Sequence, residues 1–219
     1  MVLNESLLSE ISHENVDVDK FARMTVEDSE LREEIVQLML TDPRIMIYYH
    51  SYYIISRASQ KKPELFYKYW DDFASLINHK NSYHRDFGLT LIANLTIVDN
   101  ENKFPSILNG YLKCINDPKF MTSRHCIQNT SMILKNNEEY REVIVNILLD
   151  IDNLCDYTKK QLALLKSDII MVLDTVYTEI KDKSEVNKFL NDQLTSISPK
   201  TKKHAREFIS KYEIITKTN

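Results

Sequence analysis

Apolar positions recur at helical spacing along most of the chain, and the breaks between them fall at proline or at short polar runs. Leu31, Ile35, Leu38 and Met39 fall at i, i+4, i+7 and i+8, one face of a helix. Thr25 or Asp28 can cap that helix, and Asp42-Pro43 stops it, because the residue before proline is pushed out of the helical region. The stretch 44–59 follows, apolar or aromatic at nearly every position to Ile55, which predicts a helix buried between others. Pro63 opens the next, with Leu65, Phe66, Tyr69, Trp70, Phe73, Leu76 and Ile77 as its core stripe and Glu64, Lys68, Asp71, Asp72 and Ser75 on the other face. The same pairing of helices then recurs. Helices are predicted at 82–98 and 104–116, the latter ended by Asp117-Pro118. Others are predicted at 122–134 and 139–151, then at 157–180 and 185–197. Ser198-Pro199 opens a last one at 200–214. Residues 4–11, with Asn4 as cap, and 16–24 are too short to stand alone. They form an N-terminal capping segment, 1–24, over a repeated region, 25–219.

The clearest single helix is 83–98, YHRDFGLTLIANLTIV. Its pattern is a basic residue, a small residue three positions on, and apolar residues at helical spacing. Aligned on the basic residue, the first helices of the successive pairs start from Arg44, Arg85, Arg124, Lys160 and Lys202, at spacings of 41, 39, 36 and 42. Three positions later stand Ile47, Gly88, Ile127, Ala163 and Ala205. The small ones allow a close approach of two backbones. Larger apolar residues follow ten after the anchor, at Ile54, Leu95, Leu134, Ile170 and Tyr212.

A two-helix unit with a period near 40 resembles the HEAT and armadillo families of helical repeats. That resemblance covers most of the chain and implies an all-α fold, a right-handed superhelical solenoid of about five helix pairs. It departs from the family where Ile47 and Ile127 replace a small residue, and in lacking a recurrent Asp or Asn-Arg ladder on the second helices. It also implies that the second helix of each pair lines a concave face. The polar positions of those helices are Lys68, Asp71, Asp72, Ser75, Asn109, Lys113, Arg141, Glu142, Asn146, Lys188, Asn191 and Asp192. Both charge signs alternate there and Asn is frequent, which suits a hydrogen-bonded protein or peptide partner. A phosphate backbone wants a single positive field.

Composition sharpens this picture. Two glycines and five prolines in 219 residues leave little material for strands and tight turns. The net charge of −4 argues against nucleic acid as partner. Residues 1–50 carry eleven acids and four bases, while residues 200–219 carry six bases and two acids. Lys200, Lys202, Lys203, His204 and Arg206 form a short basic cluster there, the start of a solvated helix or a contact for an acidic partner. Cys114, Cys126 and Cys155 are odd in number and widely spaced, as reduced core thiols of a cytoplasmic protein would be. The N-terminus is acidic and lacks the basic and apolar regions of a signal peptide. No uninterrupted apolar run is long enough for a membrane span.

Little in the sequence points to chemistry. Trp70-Asp71-Asp72 is the one catalytic-looking cluster. The alternative function is accordingly a HEAT-like nucleic-acid-binding protein or DNA alkylation repair glycosylase, whose family uses an aromatic cradle and a catalytic Asp in a basic groove. Here Trp70 falls on the core stripe and both acids on the opposite face, so no catalytic residue, cofactor or metal site is expected. His79 and His84 are five apart across a loop and make no ligand set. The aromatic run Tyr48, Tyr49, Tyr52 and Tyr53 suits packing between repeats, or a patch for a partner or for homodimerisation. A monomer and a homodimer are both compatible with the sequence.

Overall fold

In the computed structural model, which describes residues 5–215, the helices that begin at Val18, Ser29, Ser82, Lys159 and Pro199 start where a side chain accepts from a free backbone N–H group. Asp28 Oδ1 accepts from Glu30 N at 2.8 Å and Leu31 N at 3.1 Å, starting one helix. Thr25, the other cap considered, is buried inside the preceding helix, its hydroxyl donating to Phe21 O. The Asn4 cap lies outside the described residues. After both Asp-Pro stops the carboxylate folds back on the chain: Asp42 accepts from Arg44 N at 2.9 Å and Asp117 from Lys119 N at 2.7 Å. The Asp-Pro pair therefore ends one helix and sets the entry of the next.

Thirteen α-helices and no strand occur among the described residues. They are α1 (Glu5–Ser12), α2 (Val18–Glu27), α3 (Ser29–Thr41), α4 (Ile45–Lys61), α5 (Trp70–Leu76), α6 (Ser82–Leu95), α7 (Phe104–Lys113), α8 (Phe120–Asn136), α9 (Arg141–Leu149), α10 (Ile151–Leu154), α11 (Lys159–Asp174), α12 (Ser184–Gln193) and α13 (Pro199–Lys211). Neighbouring helices pack in pairs. The first helices, α4, α6, α8, α11 and α13, each lie against the next, with α2 and α3 covering α4. The second helices approach one another less closely.

Some predicted helices are shorter than their apolar pattern. The segment after Pro63 begins as two 3-10 turns, Pro63–Leu65 and Tyr67–Tyr69, before α5. There the Tyr67 hydroxyl donates to Asp99 and the Tyr69 hydroxyl to Glu33, which ties adjacent side chains in different directions. The predicted helix at 157–180 starts later, because Thr158 and Gln161 form a reciprocal capping box. It also ends earlier, at Asp174, and Tyr177 turns to meet the rings of Phe208 and Tyr212. The segment 139–151 is a 3-10 turn, α9 and the start of α10, interrupted at Asp150.

Gly88 is the point of closest approach between α5 and α6. A Cβ built on it would sit 2.9 Å from both Phe73 O and Ile77 N. On α8 the Cys126 thiol lies 3.3 Å from Tyr111 O, fifteen residues back along the chain, and Ile127 is fully buried beside it. Side-chain hydrogen bonds also join successive helices at similar sequence separations. Asn129 donates to Thr90, Asn136 to Thr96 and Thr201 to Ala163 O, across 39, 40 and 38 residues.

The basic anchors prove chemically unlike. Arg85 grips Asp117 with two 2.7 Å bonds, and Arg124 grips Asp168 at 2.6 and 3.0 Å. Arg44 instead folds onto its own Asp42.

Candidate functional site

A cleft opens between α9 and α12, two successive second helices. One wall begins at the 3-10 turn Glu138–Tyr140 and runs along α9, which turns Ile144 and Leu148 into the core. The other is the loop after Glu179 and the first turn of α12. Val145, Leu149, Ile180 and Val186 give it an apolar floor. Its volume is about 320 Å³, within the range of small-ligand and side-chain pockets. The rim is acidic: Glu138, Glu139, Glu142, Glu179, Asp182 and Glu185 face Arg141 and Lys181. Asp182 is held below the usual carboxylate range because Ser184 donates to it from both its N–H and its hydroxyl.

Arg141 crosses the base of this cleft. Its side chain is only 12% exposed, its Nη2 lies 2.5 Å from Glu179 Oε2, and it also donates to Leu134 O. The guanidinium therefore ties the second helix of one pair to the loop of the next, and its Nε is buried without an acceptor. Sequence reasoning placed Arg141 on an open polar face; in the structure its long stem packs inward and its charge is spent within the protein. Glu142 and Asn146 are exposed on the same rim.

The other residues selected from sequence do not gather around this cleft. Lys188 pairs with Glu185 at 3.4 Å, beside the mouth, and Asp192 is exposed one turn further along α12. Lys68 pairs with Glu33 at 3.1 Å and lies over the Tyr69 ring. Asp71 is 88% exposed, with Lys103 at 3.7 Å, and Asp72 is exposed beside it. Asn109 and Lys113 are exposed on α7. Trp70 is 1% exposed and among the largest fully buried side chains, so it has no free face on which a base could stack. The tyrosine run divides by helical position. Tyr48 is buried, Tyr49 and Tyr52 are half-buried, and Tyr53 is 45% exposed. Tyr52 stacks on Phe87 with centroids 4.0 Å apart, and Tyr49 meets Tyr53 and Tyr83 edge-on. The exposed part of the patch is Tyr53 and Tyr83, together with Met46.

Sequence reasoning missed Glu138, Glu139, Glu179, Lys181, Asp182, Glu185 and the floor residues Ile180 and Val186. A usable signal existed: Glu139 and Glu179 are 40 residues apart, one repeat, so equivalent loops of adjacent pairs both carry acids. No group of three or more His, Cys, Asp or Glu side chains able to hold a metal occurs among the described residues. No helix among them is long and apolar enough to cross a membrane. His79 and His84 do come together, ring centroids 4.4 Å apart, and burial followed by repulsion from His79 pushes His84 down in pKa. The three cysteines are buried free thiols.

Comparison with known proteins leaves this geometry to speak for itself. No protein-family model matches the chain, and neither does any curated protein. A solved structure of an engineered protein aligns over 96% of this chain and 97% of its own, at 12% identity and a TM-score of 0.49.

Proposed function

We propose that the chain is a non-enzymatic binding scaffold, a HEAT-like solenoid of stacked helix pairs that docks a protein or peptide segment. The observation that carries the reading is the cleft between α9 and α12, with its apolar floor and acidic rim. A preformed concavity of that size takes one or two side chains of an extended segment, and the rim selects a positively charged one. The interhelical hydrogen bonds one repeat apart support the solenoid, since each unit then depends on its neighbours and not on itself.

The docking side differs from the one expected by family analogy. In a curved two-layer array the more tightly packed layer lies inside the curve. Here that layer is the first helices. The second helices would then face outward, and partners would enter clefts between them instead of a continuous concave groove. The buried, unpaired thiols fit the reducing conditions of a cytoplasmic setting.

Panning a random-peptide phage library against the chain tests the proposal. Enriched sequences should combine Lys or Arg with an apolar neighbour, and Glu142→Lys/Glu185→Lys should abolish their capture. Absence of enrichment, or capture indifferent to that double variant, would overturn it.

A further inference from the structure

Apart from the acidic cleft, a second concavity of the molecule is lined by lysines without ion pairs among the described residues. The turn from α5 into α6 and the turn from α7 into α8 lie side by side and enclose an open groove of about 490 Å³. Lys80 lines it from the first turn, and Lys113 and Lys119 line it from the second. All three are exposed, and none makes an ion pair among the described residues. The single acid in the lining, Asp117, is already saturated. Both its oxygens accept from Arg85, at 2.7 Å each, and Oδ1 also accepts from Lys119 N. Its charge is cancelled by a side chain that is 13% exposed and cannot swing away without leaving Asp117 buried and unpaired. The three lysines thus face solvent with nothing inside the groove to neutralise them.

Their placement follows from the repeat. Lys80 and Lys119 stand 39 residues apart, the separation that also relates Thr90 to Asn129 across α6 and α8. Each precedes the start of a first helix, so the two charges sit at equivalent points of adjacent units. The series does not run on unopposed: at the start of α11, Lys159 and Lys160 are accompanied by the exposed Asp156. At the far end of α5 stand the exposed Asp71 and Asp72. Asp156 borders the groove, its N–H donating to Asn116 Oδ1 of the lining at 3.3 Å.

We infer that this groove docks an acidic peptide segment, a short run of Asp or Glu side chains on a partner protein. It is a second surface, separate from the α9–α12 cleft and independent of the reading built on that cleft. The chemistry favours carboxylates over a nucleic-acid backbone. Lysine is a compact, mobile point charge that can follow carboxylates in several geometries. A phosphate backbone continues its charge past a short groove and would meet the exposed Asp156 at its border, where like charges repel it.

The test is binding of a fluorescein-labelled peptide containing six consecutive glutamates, read by anisotropy at low ionic strength. Binding should weaken as salt is added, and Lys113→Glu/Lys119→Glu should weaken it by about tenfold or more. The charge-matched change Lys200→Glu/Lys203→Glu, on the basic cluster of α13, should weaken it clearly less than the groove pair does, because neither residue lines the groove. The milder Lys113→Gln/Lys119→Gln pair should weaken binding by about threefold or more, and it covers the case in which charge reversal disturbs folding. Absence of peptide binding by the parent chain, or equal loss in the groove and α13 variants, would overturn the inference. So would tighter binding of a twelve-nucleotide single strand than of the peptide. Glu142→Lys/Glu185→Lys should leave this binding intact, so failure here and failure of the cleft are separately visible.

Discussion

Replacing Gly88 by alanine adds one methyl group at the tightest contact between helices. The new Cβ would meet Phe73 O and Ile77 N at 2.9 Å and the Leu76 Cβ at 3.0 Å. Two of these are backbone atoms of α5 and its C-terminal turn, so no side chain can rotate out of the way. Either α5 moves off α6 or the contact is strained, at a cost of about 1–3 kcal/mol for overpacking. Alanine also gains about 0.5–1 kcal/mol over glycine inside a helix. The difference leaves a net destabilisation of up to about 2.5 kcal/mol, centred near about 1 kcal/mol, or a fall of about 3 °C in melting temperature for a chain of this size. Gly110 supplies the internal control. It also sits in a helix, α7, but a Cβ there meets nothing within 4 Å. Gly110→Ala keeps only the helix-propensity gain and should raise the melting temperature by about 1–3 °C. Thermal and urea unfolding followed by circular dichroism at the helix band would measure both. The same chemical change must shift stability in opposite directions at the two sites. Gly88→Leu should be worse than Gly88→Ala. A Gly88→Ala or Gly88→Leu chain as stable as the parent would refute the close-approach role and the register built on it.

Three other outcomes follow from buried groups. Asp168→Asn leaves Arg124 facing α11 without its charge partner; urea unfolding should show a loss of about 2–3 kcal/mol, below the value for a fully buried pair because the Arg124 side chain keeps 21% exposure. Burial pushes the Cys114 and Cys155 thiols up to about 11, and Cys126 well above its ordinary value. In the native chain all three should therefore resist a thiolate-selective disulfide reagent at pH 8, reacting only after guanidinium is added, and rapid native labelling would contradict this. The same shifts set a pH dependence. A thiol whose folded pKa lies above its unfolded value stabilises the fold fully below about pH 8.5, and that contribution is lost as pH rises toward 11. The urea midpoint should accordingly fall between pH 8.5 and 11, and a flat profile would count against the burial of these thiols.

The places where sequence reasoning succeeded and failed have a common physical basis. Helices are written in the chain because one buried face requires apolar residues every three or four positions, as from Leu31 to Met39, although the same kind of stripe from Leu65 to Ile77 is folded as two 3-10 turns and the short α5. Trp70 was legible as core for the same reason. Gly88 was legible from its place three residues after the basic anchor, where a small residue recurs; glycine inside a helix is no signal by itself, since Gly110 has open space where its Cβ would be. In the neighbouring unit Cys126 and Ile127 are both buried, and nothing in the pattern says which one faces Tyr111.

Partner choice for a charged side chain was less legible still. Arg44, Arg85 and Arg124 occupy the same place in the alignment, yet one holds its own loop, one the next Asp-Pro turn and one the middle of α11. A long flexible side chain reaches several acceptors, and periodicity fixes only where its stem begins. The cleft and the basic groove were hidden for a related reason. Their walls are turns that lie one repeat apart, such as Glu138–Tyr140 with the loop after Glu179, or the turns around Lys80 and Lys119. Turns carry no hydrophobic period, so a search guided by helical faces passes over them. In an array of stacked pairs the apolar faces are consumed by stacking, and what remains for partners is the line of turns and the gaps between second helices. The docking positions proposed for this chain come from comparing residues 39 or 40 apart in its turns, Glu139 with Glu179 and Lys80 with Lys119.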